Sequence, residues 1–321
     1  MIKILANDGL HPDGKLLLDE ANVQVDTTRY PQEELAQVLK NYDGIVVRSA
    51  TKVRKELIDQ VPNLKIIGRA GVGTDNIDVE YAQSKGIFVF NTPGASSRSV
   101  AELAIAHIFN LSRNLHLANR LMPGKGASEF SQLKKAMQKG ALLQGKKLGI
   151  VGFGRIGREL AKIGIGLGMQ IYATDLIVEE GLINFEIYDS GDVFLGIKVR
   201  TVSMEKVLEK CDIISFHVPN SGPKALIGPE EIKKMKDGVM LINTARGGVI
   251  DEDALLAALE SGKVSGAGLD VFVNEPNPRA DIMAHPNVSL SPHIGAETLQ
   301  AQSNIGMEIA ERIIDHFGLN P

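Results

Sequence analysis

The sequence predicts an α/β protein with two domains, and three observations lead there. Its 321 residues exceed what one hydrophobic core ordinarily organises. Short apolar strands alternate with amphipathic helices along most of the chain, the pattern of parallel sheets covered by helices. A second such series opens near Leu148 with a strand, a glycine turn and a helix, well after the first has run its course.

In the first series, strands are expected at Ile2–Ala6, Val23–Val25, Gly44–Val47, Leu64–Gly68 and Ile87–Phe90. Helices are expected at Pro12–Ala21, Gln32–Lys40 and Lys55–Gln60, with Pro12 and Pro31 in first turns, where the missing N–H costs nothing. Ligands of open parallel sheets bind beyond the carboxyl ends of the strands. Two unusual loops follow such ends here, Val47–Lys52 and Arg69–Asn76. The turn-forming run Asn91–Ser97 then leads into a long apolar helix over Val100–His116, with Ser99 and Glu102 at capping-box spacing. Met122–Gln144 is polar and contains glycine, which predicts a surface arm with a poorly defined helix.

In the second series, strands are expected at Leu148–Val151, Gln170–Thr174, Asp212–Phe216, Val239–Asn243, Gly266–Val271 and Val288–Leu290. Helices fit Pro229–Lys236, Asp251–Ser261 and Thr298–Phe317. Leu176–Arg200, with Phe185, Tyr188 and Phe194, has little helical period. No internal repeat is visible.

Composition narrows the function classes. Hydrophobic residues are 44% and charged residues 23%, ordinary for a soluble globular protein. A net charge of -4 gives no reason to expect nucleic acid or an anionic membrane as partner. No apolar run is long enough to span a bilayer, and no signal peptide precedes the first strand. The single cysteine, Cys211, allows no internal disulfide, fits a reducing, cytoplasmic compartment and reads as a buried structural thiol. No paired His/Cys/Asp spacing suggests a metal.

The chemistry starts at Gly145–Asp175. Gly152, Gly154 and Gly157 have GxGxxG spacing between a strand and a helix. Gly152 permits the tight turn, Gly154 lets a pyrophosphate approach the backbone, and Gly157 lets helix and strand pack closely. Asp175, ending the next strand, is placed to bond the adenosine ribose hydroxyls and to repel a 2′-phosphate, which favours NAD over NADP. Three polar residues follow later strands. Arg246 comes after Asn243-Thr-Ala, Glu275 after Leu269–Asn274, and His293 after Leu290-Ser-Pro. Singly, each reads as an ordinary surface or turn residue. Behind a dinucleotide site they form a set for hydride transfer. His293 suits proton transfer near neutral pH, Glu275 pairs with it, and Arg246 grips a carboxylate and polarises the adjacent carbonyl. His107 reads as core, and His217 lies near the cofactor without a catalytic role.

These motifs together resemble the D-isomer-specific 2-hydroxyacid dehydrogenase family over nearly the whole chain. The matching pieces are Gly152–Gly157 with Asp175, Asn243–Asp251, Leu269–Phe272 with Glu275-Pro276, and Ser291–Ala296. The resemblance implies two Rossmann-like/flavodoxin-like parallel-sheet domains with the active site in the cleft between them. It implies a discontinuous substrate-binding domain, 1–96 plus 297–321, around an NAD-binding domain, 97–296. It carries the catalytic roles onto Arg246, Glu275 and His293. Cofactor contacts fall on Val72, Arg155, Ile156, Asp175, Val218, Thr244, Ala245, Asp270, Gly295 and Ala296, beside the three glycines.

The loops Val47–Val53 and Gly68–Asp78 resemble those of the branch acting on 3-phospho-D-glycerate. That implies a small anionic 2-hydroxy acid as substrate, Arg48 and Arg69 at its charged ends, and the Val72 and Gly73 amides at its carboxylate. A hydroxypyruvate or glyoxylate reductase and a nucleotide-sensing corepressor remain alternatives on the same fold. Glu275 speaks against the formate branch, which has Gln there. A homodimer through the nucleotide domain is also implied. Three departures stand out: about ten extra residues after Asp175 with Leu176 in place of the common proline, Asn220-Ser221-Gly222 in place of a leucine-containing stretch, and an end at Pro321 that leaves no room for a regulatory serine-binding domain.

Overall fold

The structure, a computed structural model, describes residues 1–186, 194–219, 222 and 224–319. The chain divides into two compact units, Met1–Ser97 with Ala296–Pro321, and Arg98–Gly295.

The first unit is a five-stranded parallel sheet built by β1 (Ile2–Ala6), α1 (Pro12–Glu20), β2 (Val23–Asp26), α2 (Leu35–Val38), β3 (Gly44–Val47), α3 (Lys55–Gln60), β4 (Ile66–Arg69), α4 (Val79–Ser84) and β5 (Phe88–Asn91). Strand order is β2-β1-β3-β4-β5. β3 is buried at every position, which is why its sequence is an unbroken apolar run rather than an alternation. Pro12 begins α1, with the His11 Nδ1 accepting the Asp13 amide. Pro31 opens only a turn, since its carbonyl accepts the Glu34 amide and the helix starts at Leu35, later than its periodicity predicts.

The second unit begins with α5 (Ser97–Ser112) and α6 (Leu115–Ala136). Asn114, at φ 52°, separates these two helices, so the apolar helix stops before His116. The polar arm is helical through Pro123, with a break at Glu129. Ser99 and Glu102 form no capping box. The Ser99 hydroxyl donates to the Gly295 carbonyl, and Glu102 pairs with Arg98.

A six-stranded parallel sheet follows: β6 (Lys147–Val151), α7 (Arg155–Gly166), β7 (Gln170–Thr174), then an antiparallel hairpin of β8 (Glu180–Glu186) and β9 (Phe194–Arg200) outside the sheet. It continues through α8 (Met204–Lys210), β10 (Ile213–Phe216), α9 (Pro229–Lys234), β11 (Val239–Asn243), α10 (Glu252–Glu260), β12 (Val264–Leu269), α11 (Ala280–Ala284) and β13 (Val288–Leu290). Its order is β13-β12-β11-β10-β6-β7. α12 (Leu299–Phe317), capped by Thr298, returns to the first unit and packs on α1 so closely that a Cβ on Gly14 would lie 2.2 Å from the Gly306 carbonyl oxygen.

Both sheets therefore share one strand order, first strand between second and third, an internal likeness that the sequence does not display. The aperiodic run after Asp175 is the hairpin. Ile183 is buried in it, and Gly181 sits against the ring of Phe153, where a Cβ would come within 2.7 Å. Tyr188, Asn220, Ser221 and Pro321 lie outside the described residues. Among the described residues, no helix is long and apolar enough to cross a membrane, and no cluster of three His, Cys, Asp or Glu side chains could hold a metal ion. Cys211 is fully buried, and that burial pushes its thiol up to about 12.

Candidate active site

The strand order of the six-stranded sheet reverses between β6 and β10, the place where such sheets bind ligands. The chain is opened there by glycine. Gly152 has φ 95°, and a Cβ on it would come within 2.5 Å of the His217 carbonyl oxygen. A Cβ on Gly157 would lie 2.2 Å from the Gly152 carbonyl oxygen, so helix and turn pack in backbone contact. Gly154, by contrast, faces open space and caps α7 with no side chain. The first amides of this twelve-residue helix, at Arg155 and Ile156, have no capping acceptor, which suits an anion such as a pyrophosphate.

Asp175 sits at the end of β7 with its carboxylate fixed. One oxygen accepts the Phe153 amide at 2.7 Å, and the other accepts Ile177 at 2.9 Å and Val178 at 3.1 Å. Burial pushes its pKa up, but these three amides outweigh that and hold the carboxyl below its ordinary range. The site therefore keeps an anion beside the glycine turn. Thr244, 7% exposed, and His217 each carry a buried polar atom without a partner, the hydroxyl and Nδ1 respectively, near the carboxyl ends of β11 and β10. An open glycine backbone, uncapped amides, a fixed ribose-side carboxylate and orphaned polar atoms all fit a dinucleotide.

The three predicted catalytic residues line one cavity of about 710 Å³ beyond β11, β12 and β13. Each is set by its own loop. Asn243 ends β11, accepts the Ala245 amide and donates to the Arg246 carbonyl, so it shapes the turn that presents Thr244, Ala245 and Arg246. The Arg246 guanidinium donates to the Ala245 carbonyl at 2.6 Å. A Cβ on Gly247 would lie 2.0 Å from the Phe272 carbonyl oxygen, so only glycine lets this turn cross the next loop. Glu275 is held through one oxygen by the Phe272 amide at 2.9 Å, and its other oxygen meets His293 Nδ1 at 2.7 Å. His293 has φ 56°, the left-handed region, and its side chain is half exposed. With Nδ1 donating to the carboxylate, Nε2 is left able to take or release a proton.

Asp270, 1% exposed, accepts from Ser291 Oγ at 2.6 Å, the Ile294 amide at 2.9 Å and the Gly295 amide at 2.9 Å. It serves the loop that carries His293, a structural duty beyond the cofactor contact implied by its motif. Val218 is half-buried after β10, and Gly295 is buried with Val100 against it.

The predicted substrate residues belong to the first unit. Arg48 follows β3 and pairs with Glu297. Arg69 ends β4 and folds back to donate to the Ala70 carbonyl at 2.7 Å, over Gly71, where a Cβ would strike the guanidinium at 1.7 Å. Val72 is exposed and its carbonyl accepts from Asn91, while Gly73 is half-buried and Ala296 begins the return segment of this unit.

Two groups escaped the sequence reading. Glu297 stands immediately after the His293–Ala296 motif, and the signal was an acid adjoining a cluster of expected basic contacts. Asp8, after β1, accepts the Arg48 amide at 2.7 Å, the Thr51 amide at 3.1 Å and the Thr51 hydroxyl at 2.7 Å, and nothing local in its sequence announces that role.

Comparison with known proteins fits this geometry. Residues 105–295 match the NAD binding domain of D-isomer specific 2-hydroxyacid dehydrogenases. The hydroxypyruvate reductase of Thermotoga maritima is 42% identical over 322 residues, covering 99% of both chains. The D-3-phosphoglycerate dehydrogenase of Pongo abelii is 40% identical over 98% of this chain but only 56% of its own length, so the chain spans about half of that relative. Among solved structures, the NAD+-bound 3-phosphoglycerate dehydrogenase of Entamoeba histolytica superposes with a TM-score of 0.76 at 30% identity, covering 99% of this chain and 95% of that one. The chain belongs to the D-isomer specific 2-hydroxyacid dehydrogenase family and carries its NAD binding domain.

Proposed function

We propose that the chain oxidises 3-phospho-D-glycerate to 3-phosphohydroxypyruvate with NAD, the entry step of serine biosynthesis. The observation that carries the reaction type is the His293–Glu275 pair at 2.7 Å with Arg246 lining the same cavity. His293 Nε2 takes the C2 hydroxyl proton. Glu275 holds Nδ1 and balances the charge that the imidazole gains. Arg246 binds the carboxylate and the reacting oxygen through its fork of donors. NAD, when bound, supplies the hydride acceptor. Gly152, Gly154, Gly157, Arg155, Ile156 and Asp175 would hold its adenosine and pyrophosphate side. Val218, Thr244, Ala245, Asp270, Gly295, Ala296 and Val72 are assigned to the rest of it. The second unit is accordingly the NAD-binding domain and the first the substrate domain. Arg48, Arg69 and the Val72 and Gly73 amides are assigned to the anionic ends of the acid. A cytoplasmic homodimer completes the proposal.

A second reading, reduction of hydroxypyruvate to D-glycerate, has two observations in its favour. The Thermotoga maritima relative matches end to end, and Glu297 already offsets the charge of Arg48. The test is NADH formation with 3-phospho-D-glycerate, D-glycerate and D-lactate, and NADH consumption with the matching 2-oxo acids. The phosphoglycerate reading requires the phosphorylated acid to have a kcat/KM at least about 10-fold above D-glycerate, the worth of one charged hydrogen-bonded contact. Equal values would leave hydroxypyruvate reduction as the function.

A further inference from the structure

His107 lies in the middle of α5, 2% exposed, with Ala104, Ile105, Ile108 and Leu111 buried around it on the same helix. Both ring nitrogens are engaged. Nδ1 lies 2.8 Å from Ser289 Oγ and Nε2 lies 2.9 Å from Ser291 Oγ. The strand beneath is shaped around this ring, since a Cβ on Gly268 would come within 2.6 Å of the His107 Cβ.

The partners fix which way the protons point. Ser291 Oγ also lies 2.6 Å from Asp270 Oδ1. A carboxylate only accepts, so the single hydroxyl proton of Ser291 goes to Asp270. Ser291 must then accept from His107, which places the ring proton on Nε2. Nδ1 is left as an acceptor for the Ser289 hydroxyl, and Ser289 in turn accepts from Asn110 Nδ2 at 3.3 Å. One directed chain runs Asn110, Ser289, His107, Ser291, Asp270. Burial keeps the ring neutral by lowering its pKa, Asp270 opposes that, and His116 adds to it.

The far end of the chain bears on the site. Asp270 accepts the amides of Ile294 and Gly295, the two residues that follow His293. Ser99, two turns before His107 on the same helix, bonds the Gly295 carbonyl at 2.7 Å. His293 itself is held at φ 56°, in the left-handed region that few residues other than glycine occupy.

We propose that His107 is a positioning residue for catalysis: its Nε2–H orients Ser291 and thereby the Asp270 carboxylate, which clamps the Ile294 and Gly295 amides and keeps His293 in its left-handed conformation against Glu275. His107 touches neither substrate nor cofactor. The proposal rests on His293 being the acid/base of the reaction.

The test compares His107→Leu, His107→Gln and Ser291→Ala with the parent enzyme. His107→Leu keeps an apolar side chain in the core but breaks the chain of bonds. It is expected to lower kcat about 10-fold, the scale of a small misplacement of a reacting group. KM for the 2-hydroxy acid should change less than about 3-fold, and the limb of the kcat/KM pH profile that reports His293 should shift. Ser291→Ala breaks the chain from its other end and should give the same pattern. His107→Gln keeps one donor and one acceptor and should recover most of kcat. Nitrogen NMR of histidine-labelled enzyme should show His107 as the neutral Nε2–H tautomer at neutral pH.

Wild-type kcat and pH profile in both His107→Leu and Ser291→Ala, with only the melting temperature lowered, would reduce His107 to core packing and overturn the proposal. An Nδ1–H tautomer would overturn it as well. His293→Ala separates the two layers. If that variant still turns over, the acid/base reading fails. If it is dead while His107→Leu is unaffected, only the positioning role fails.

Discussion

The two sheets share a strand order and differ at the point where that order reverses. In the second unit the reversal is lined by glycine: Gly152 packs against the His217 carbonyl, and Gly154 faces open space. In the first unit the same place, between β1 and β3, is filled by side chains. Asp8 binds the Arg48 and Thr51 amides and the Thr51 hydroxyl, Asn7 binds Thr51 at 2.8 Å and the Tyr30 backbone, and Asn76 binds the Arg48 and Thr51 carbonyls. One topology thus yields an anion-accepting crevice when the backbone is bare and a rigid loop scaffold when it is clothed. Polar residues of the first unit are spent on shaping Arg48–Lys52. Those of the second unit hold Glu275 and His293 together at the cavity.

If the contrast is sound, substitutions in the second unit act on chemistry, and those in the first act on affinity and selectivity. The largest effect is expected for Arg246→Ala, a loss of about 1,000-fold in kcat/KM for the 2-hydroxy acid, comparable to removing a main donor to a charged oxygen, with NAD affinity unchanged. Steady-state kinetics beside calorimetric NAD titration would show it. Glu275→Gln should cost about 100-fold in kcat, because Nδ1 loses a charged acceptor while the Phe272 amide keeps one. Asp8→Ala is expected to behave differently, raising KM for the acid about 10-fold while kcat moves little, since it frees the Arg48–Thr51 loop of the first unit. A kcat collapse in that variant would break the contrast. Glu297→Gln, which leaves Arg48 uncompensated, should raise kcat/KM for the phosphorylated acid about 3-fold and leave D-glycerate unchanged. An equal gain for both acids would remove Arg48 from phosphate recognition.

The smallest effect is one of pH. Burial lowers the His217 imidazole to about 4. A depressed folded value means its contribution to stability is whole above the ordinary value near 6.5 and is lost as pH falls from there towards 4. Melting temperatures should therefore drop over that window, and His217→Asn should flatten the drop. A melting curve indifferent to pH there would contradict the burial of the ring.

Much of this was legible in the chain. Four residues of local pattern suffice for Gly44–Val47, because a parallel strand buried at every position is written as an apolar run. GxGxxG and the trio Arg246, Glu275 and His293 are local motifs beyond strand ends. Other features are long-range. Ser99 looks like a cap in sequence, but its partner, Gly295, is 196 residues away. Asp8 and Glu297 act on loops distant in sequence. His107 sits on an apolar helical face and reads as core, and only its partners Ser289 and Ser291 reveal a directed chain of bonds. The hairpin after Asp175 was hidden because its alternation covers Phe153 and α7 rather than a sheet.

The most direct measurement is made on His293→Ala, with NAD binding and turnover followed on the same preparation. NAD affinity is expected within about 2-fold of the parent and kcat lowered by about 1,000-fold or more, the reach of a general base that also stabilises the transition state. Turnover near that of the parent would contradict it.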